Sequence, residues 1–260
     1  MCIKKMIIYE DDDFIAINKP SGMPSAPLFQ NEEGTALNFV CKINPSVLSV
    51  LGKKKIEGGL LHRLDTATTG LLLFAKNQFT YDEIQKQQAV GLFKKEYTAI
   101  CNIQEENNLT GFPEKTLQMK NFMNKVEVGN KICLKSKFRA FGPNRKEVRP
   151  VTEFSSAYAI KKNVSKKQYN TDVLIDCIKN NTINVKCFIN LGFRHQVRVH
   201  LSWLGLPIIG DELYNSSYKD IPLKDNSLKF FATGLSFIHP TKKETFTLKL
   251  PSKYLTTEFF

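Results

Sequence analysis

The sequence predicts an α+β fold, a mixed and mainly antiparallel β-sheet with flanking helices and loops. Strand-like segments outnumber helical ones along the chain. Two of them, at 173–178 and 183–191, follow each other across Asn180-Asn181, a typical hairpin signal. Neither an internal repeat nor a low-complexity linker interrupts the 260 residues. We therefore expect one domain over residues 1–260.

The elements can be assigned in chain order. A strand at 14–17 leads into a loop broken by prolines and Gly22. Residues 80–83, Thr-Tyr-Asp-Glu, form a capping-box pattern that begins a helix ending near Gly91. Residues 102–152 are polar and basic and predict loops and short strands. The other predicted strands lie at 71–75, 94–101, 228–238 and 245–250, and the other predicted helices at 35–43 and 194–204.

Charge and cysteine content limit the classes of function. Lys and Arg outnumber Asp and Glu by 37 to 25, which gives a net charge of +12. This excess favours a polyanion, nucleic acid before a membrane surface, although a generally basic surface explains it equally well. No apolar run could span a bilayer and no signal peptide is recognisable, so a cytoplasmic protein is expected. The six cysteines lack C-x-x-C spacing, which makes zinc and disulfides improbable.

The segment at 58–77, GGLLHRLDTATTGLLLFAKN, places a carboxylate between two apolar blocks. A half-buried ionised Asp65 costs several kcal/mol unless it is paired, so we expect a fixed partner. Arg194, His195 and Arg198 share one face of the later helix by their spacing, and Tyr97 lies within a strand pattern. An ion pair between Asp65 and a distant arginine could serve catalysis or merely tie two elements together, and spacing alone leaves both open.

Four segments in order carry a family resemblance. HRLDTATTGLLLFAKN resembles the signature of the RluA-type pseudouridine synthases, and YEDDDFIAINKPSGMPSAP resembles the family's opening strand and Lys-Pro-x-G loop. KKEYTAIC resembles its K-x-Y-x-A segment, and FRHQVRVHLSWLGLPIIGDELY its H-Q-I-R-V-H-L segment. The resemblance spans roughly residues 7–250 and implies the pseudouridine synthase fold. It also implies isomerisation of uridine in ribosomal or transfer RNA, without a metal or organic cofactor.

The same resemblance implies roles for individual residues. Asp65 matches the essential aspartate that acts at the ribose, and Tyr97 matches the tyrosine that packs against the base and helps remove the C5 proton. Arg198 matches the arginine that pairs with the aspartate, and Arg63 the arginine that helps displace the target base. Other positions in these motifs are expected to bind RNA or substrate: Lys19, His62, Arg194, His195 and Gln196.

The chain departs from the family pattern at Gly192-Phe193-Arg194, where the arginine stands one position later than usual. The chain is also expected to lack the S4 RNA-binding domain that precedes the catalytic domain in several relatives. Target selection is then expected to rest on the catalytic domain and its basic loops. A monomer is expected as well. The alternatives are a catalytically silent RNA-binding protein of the same fold, which intact Asp65, Tyr97 and Arg198 disfavour, and a hydrolase using His62 and Asp65, which lacks a nucleophile motif.

Overall fold

The computed structural model describes residues 6–104, 109–162, 164–179, 182–218 and 227–255. Contacts divide the chain into two compact units. Within the described ranges, unit 1 comprises residues 6–96 and 231–255, and unit 2 comprises the residues between 97 and 230. The strands are β1 Ile7–Glu10, β2 Phe14–Lys19, β3 Thr69–Ala75, β4 Lys94–Cys101, β5 Lys131–Phe141, β6 Glu147–Val151, β7 Tyr169–Lys179, β8 Thr182–Ile189, β9 Phe230–Ile238 and β10 Thr245–Lys249. The helices are α1 Ala36–Ile43, α2 Gln78–Ala89, α3 Leu117–Asn124, α4 Ala157–Lys161 and α5 Gln196–Leu204.

Unit 1 is built around β3, whose apolar run is buried from Gly70 to Ala75. β2 pairs with it antiparallel, and β9 pairs with it parallel through Thr69–Phe231 and Gly70–Ala232. Gly70 makes this approach possible, because a Cβ there would lie 2.3 Å from the Ala232 carbonyl oxygen. Its φ of +123° also lies in the region that side chains disfavour. β1 extends the sheet beyond β2, and β10 pairs with β9.

The helices of unit 1 begin at side-chain caps. Thr35 accepts a hydrogen bond from the Asn38 amide, and the Asn38 side chain accepts one from Thr35, so α1 begins where predicted. The predicted cap of α2 at Thr80 is wrong by three residues. Asn77 caps the helix instead, accepting from the Thr80 amide at 2.8 Å. The Thr80 hydroxyl is buried and donates to Asp13, which removes it from any capping role.

Unit 2 contains the strands β4-β8-β7-β5-β6 in that order, and β5 pairs antiparallel with both β6 and β7. The prediction of loops and short strands in 102–152 is confirmed for β6, which has five residues. It is wrong for β5, which has 11 residues, and it missed α3. From Lys131 to Phe138, β5 alternates between buried residues such as Ile132 and Leu134 and more exposed ones such as Lys135. Its lysines and serine are poor strand formers by composition, and two neighbouring strands override that preference.

The helix α5 is buried along its whole length. His200 fixes it to the sheet of unit 2, because its two ring nitrogens lie 2.9 Å from the Ser136 hydroxyl and 2.8 Å from the Thr171 hydroxyl. Burial lowers the pKa of His200 to about 3, so this bridge is uncharged at neutral pH. Gly205 ends the helix at φ +110°, as its position in the sequence predicts.

Most of the pairing in both units is antiparallel, and the predicted mixed, mainly antiparallel α+β fold is confirmed. The strands β2, β3, β4, β7, β8, β9 and β10 occupy the segments predicted for them. The predicted turn residues Asn180-Asn181 lie outside the described residues. No helix in the described ranges has the length and apolar character needed to cross a bilayer.

Candidate active site

Asp65 lies in a loop of unit 1 that joins two paired segments of the chain. Residues 59–61 run alongside β3, with the Leu61 amide donating to the Leu73 carbonyl at 3.0 Å and the Ala75 amide to the Gly59 carbonyl at 2.7 Å. Residues 62–68, called here the aspartate loop, connect this segment to β3. Lys19 at the end of β2 is in register with Gly70 at the start of β3. The aspartate loop and the loop after β2 therefore leave the sheet at the same edge.

Lys19 joins these two loops. Its side chain is fully buried, and its ammonium donates to the carbonyl oxygens of Pro20 at 2.9 Å, Met23 at 2.8 Å and Thr66 at 3.1 Å. Burial lowers the pKa of Lys19 to about 8, and the nearby Asp65 carboxylate acts in the opposite direction. The ammonium is thus a buried charge beside Asp65 and is not accessible to RNA in this conformation.

The loop after β2 holds the aspartate loop at further points, all on its main chain. The Ser25 hydroxyl donates to the Leu64 carbonyl at 2.8 Å and accepts from the Leu64 amide at 3.0 Å. The Ser21 hydroxyl donates to the Ala67 carbonyl at 3.0 Å, and the Gly22 amide donates to the Thr66 carbonyl at 2.9 Å. These bonds fix the main chain on both sides of Asp65, so the half-buried carboxylate is presented by a rigid loop.

We expect Lys19→Met to reduce turnover at least about tenfold and to lower stability by about 1–3 kcal/mol. The methionine keeps the apolar stem but removes the donor from three carbonyl oxygens around the aspartate loop. Lys42→Met, at an exposed position on α1, is the matched control for loss of one positive charge. Thermal unfolding and initial rates measured at a temperature where all variants are folded provide the test. Wild-type turnover of the Lys19 variant would show that this lysine does not position the loop.

Arg63 and His62 flank the start of the aspartate loop in different environments. The Arg63 side chain is half exposed and lies 3.3 Å from Glu57, so its guanidinium reaches solvent from a tethered position. His62 is 7% exposed, and its two ring nitrogens have no hydrogen-bond partner within the described ranges. Burial and the positive charge of Lys95 hold the pKa of His62 well below its usual value. His62 is therefore a neutral ring, unsuited to an acid role at neutral pH.

Tyr97 is the predicted site residue on β4, in unit 2. It is 7% exposed and stacks on Phe230 with ring centroids 5.0 Å apart and an interplanar angle of 14°. Stacking fixes the ring plane, which a residue that packs against a planar base requires.

Arg198 is buried on α5 and has a carboxylate partner within unit 2. Its Nε and Nη2 atoms each donate to Asp211 at 2.8 Å in a bidentate arrangement. Asp211 is fully buried and also accepts from the amides of Leu213 and Tyr214 at 3.0 and 3.2 Å. This geometry fixes the guanidinium plane. The predicted pair of Arg198 with Asp65 stays a prediction.

Tyr214 contacts both Arg198 and its neighbour His195. Its ring lies 5.2 Å from the Arg198 guanidinium, and its hydroxyl lies 2.8 Å from Nδ1 of His195 and accepts from the Val148 amide at 2.9 Å. His195 has a left-handed backbone with φ of 57° directly before α5. The contact with Tyr214 therefore holds its side chain at the start of α5.

Arg194 and Gln196 are occupied by contacts with main-chain and side-chain oxygens of unit 2. Arg194 is exposed and donates to the carbonyl oxygens of Arg145 at 2.5 Å and Glu147 at 3.1 Å. The buried amide of Gln196 donates to the Asn170 carbonyl at 2.9 Å and to the Thr171 hydroxyl at 3.1 Å. Phe193 stacks on Phe138 with centroids 5.0 Å apart. The shifted arginine thus ties α5 to the segment before β6.

Asp211, Tyr214 and Ser25 were not predicted as site residues. Asp211 and Tyr214 belong to GDELY at the end of the fourth motif. An acidic residue followed three positions later by an aromatic residue in a family motif could have indicated a role at the site. The role of Ser25 had no comparable signal, because its partners are main-chain atoms.

Known proteins share both the motifs and the fold. The RNA pseudouridylate synthase family profile matches residues 13–203. The chain is 28% identical to a ribosomal large subunit pseudouridine synthase C from Buchnera aphidicola, over 96% of this chain and 68% of the relative. It is 28% identical to a dual-specificity RNA pseudouridine synthase RluA from Vibrio cholerae, over 95% and 83%. An uncharacterised RNA pseudouridine synthase from Helicobacter pylori is 24% identical over 94% and 65%.

The chain spans between 57% and 68% of the length of several of these relatives, so part of each lies beyond the similarity. Among solved structures, human RNA pseudouridylate synthase domain containing 1 has a TM-score of 0.63 at 18% identity, covering 98% of this chain and 86% of that one. Domain containing 4 has a TM-score of 0.61 at 20% identity, over 99% and 91%. These neighbours share the fold, and the profile covers well over half of the sequence. The chain belongs to the RNA pseudouridylate synthase family, in its RluA-type branch.

Proposed function

We propose that this protein converts uridine to pseudouridine in structured RNA, with Asp65 as its essential carboxylate. The observation that carries the proposal is the braced aspartate loop. The side chains of Lys19, Ser21 and Ser25 donate to main-chain carbonyl oxygens on both sides of the family's aspartate. A rigid carboxylate suits a reaction whose geometry at the ribose must be fixed. The net charge of +12 supports a polyanionic substrate.

The reaction breaks the bond from C1′ to N1, rotates the uracil and joins C1′ to C5. The C5 proton leaves and N1 gains a proton, so no redox partner is needed. Asp65 acts at the ribose to permit detachment, either at C1′ or through the 2′ proton. Arg198, fixed by Asp211, is the proposed partner of Asp65. The target base must leave its stack to be reached, and the half-exposed Arg63 is placed to help displace it.

The proposed substrate is ribosomal or transfer RNA. The names of relatives point to both, one to the large ribosomal subunit and one to dual specificity. In loops and bulges, displacing a base from its stack costs the least free energy, because the base is already unpaired. A cytoplasmic location and a monomeric state belong to the same proposal, and light scattering on the purified protein tests the second.

The experiment is to incubate the purified protein with unmodified transcripts of ribosomal and transfer RNA and to map pseudouridine by chemical labelling and sequencing. We expect specific sites that match those absent from total RNA when the gene is deleted. Binding of the transcripts without any pseudouridine would instead support the catalytically silent alternative.

Tyr97→Phe is expected to lower product formation about 10²-fold if the hydroxyl helps to remove the C5 proton, the usual scale for acid–base assistance. RNA affinity should change little, because the ring that stacks on Phe230 is retained. Single-turnover rates and binding constants on the same transcript separate the two effects. Equal rates for both proteins would leave Tyr97 as a packing surface only.

A further inference from the structure

Lys95 lies near the start of β4 and is partly buried. Its ammonium lies over the ring of Phe93, a fully buried residue directly before β4. Lys94 and Glu96 point to the other face, where Glu96 forms an ion pair with Lys249. One ammonium therefore lies against a buried aromatic ring, two positions before the proposed catalytic Tyr97 in the sequence.

The charge of Lys95 is not neutralised by any carboxylate within the described ranges. Its ammonium lies 5.7 Å from the centre of the Phe93 ring, and the side chain is only partly exposed. Some lysines of unit 1 do have acidic partners, for example Lys76 with Glu10 at 3.1 Å. Burial lowers the pKa of Lys95 to about 8, and the positive charge of Lys53 adds to this effect. A bound anion would strongly stabilise an ammonium in this environment, because a buried charge is costly unless it is paired.

His62 shows that this charge lies beside the aspartate loop. Its ring lies 5.7 Å from the Phe93 ring, on which the Lys95 ammonium also lies, and the charge of Lys95 acts on it. The neutral ring of His62 cannot compensate the ammonium. His62 precedes Asp65 by three positions, so Lys95 stands next to the loop that presents the carboxylate.

We propose that Lys95 binds a phosphate of the RNA backbone next to the target uridine. A compact ammonium on an extended stem suits a phosphate oxygen, and a backbone phosphate accompanies every nucleotide whatever its base. The contact would hold the displaced strand while the uridine occupies the site. That the anion is an RNA phosphate rests on the proposed function. The observation that no carboxylate neutralises the Lys95 ammonium within the described ranges does not depend on it.

The test compares Lys95→Met with Lys94→Met, which removes the same charge one residue away on the opposite face. The probe is a fluorescein-labelled uridine decamer, with affinity measured by anisotropy between 50 and 300 mM KCl. We expect Lys95→Met to weaken binding about tenfold at the lowest salt concentration. The slope of log affinity against log salt concentration should fall by about 0.7, the value for one phosphate contact on a single strand. Lys94→Met should change affinity less than about twofold.

Equal affinities and slopes for the two variants would overturn the proposal. If Lys95→Met does not fold, the wild-type protein provides the answer, with its lysines labelled by ¹³C-methylation and followed by NMR. The Lys95 signal should shift on addition of the decamer, and an unchanged signal at saturation contradicts the contact. Binding requires no turnover, so the result stands apart from the pseudouridine assay. A wild-type protein that forms no pseudouridine while the Lys95 contact is present would refute the proposed function alone.

Discussion

Asp65→Asn is expected to abolish pseudouridine formation, with turnover reduced at least about 10³-fold. The amide has the size of the carboxylate but cannot act as the anionic group at the ribose. Tritium release from RNA labelled at C5 of uridine measures turnover directly. The effect should fall on the rate after binding, so affinity for the same transcript should stay within about twofold of wild type.

The structure gives a specific reason why this variant should fold. The bonds that brace the aspartate loop go to the main chain of Leu64, Thr66 and Ala67, and the substitution leaves them in place. Thermal unfolding should therefore be close to that of wild type. Asp82→Asn, at an exposed position on α2, controls for loss of one carboxylate. Tritium release from the Asp65 variant at the rate of this control would reject the essential role.

The sequence predicted elements well where local pattern and tertiary packing agree. β3 was predicted because its continuous apolar run can only be buried, and β4 because its composition favours a strand. β5 was missed because its exposed face consists of lysines, and only pairing with β6 and β7 makes the segment extended. The start of α2 moved because the hydroxyl of Thr80 is used by Asp13, a contact between distant positions.

The site was predicted through motifs, which identify side chains better than they identify the groups that hold them. Lys19 was predicted as an RNA-binding residue. A single sequence does not reveal that its partners are carbonyl oxygens of the loop after β2 and of the aspartate loop. The partner of Arg198 within unit 2 is Asp211, 13 positions later and beyond the end of α5. The helical pattern ends at Gly205, so it cannot predict a contact with a residue that follows. Arg198 and Asp211 meet only because the chain after Gly205 folds back onto α5.

Arg198→Met is expected to destabilise the protein by about 3–5 kcal/mol and to abolish most of its activity. The stem of the side chain is largely kept, but the Asp211 carboxylate, which is fully buried, loses its bidentate partner. Chemical denaturation measures the loss of stability. A destabilised protein also loses activity because less of it is folded. This variant alone therefore does not separate the structural role of Arg198 from its proposed role beside Asp65.

The double variant Arg198→Met/Asp211→Asn makes that separation. It removes the buried charge along with its partner, while an asparagine oxygen can still accept from the amides of Leu213 and Tyr214. Stability should therefore recover by more than half of the loss. Turnover should stay at the level of the single variant if the guanidinium acts on Asp65 or on the substrate. The single variant Asp211→Asn keeps the Arg198 guanidinium but removes the bidentate carboxylate that fixes it. It should therefore lose stability and part of its turnover, and it measures how far turnover depends on a fixed guanidinium plane. If the double variant recovers turnover together with stability, Arg198 only supports the fold and the predicted pair with Asp65 is wrong.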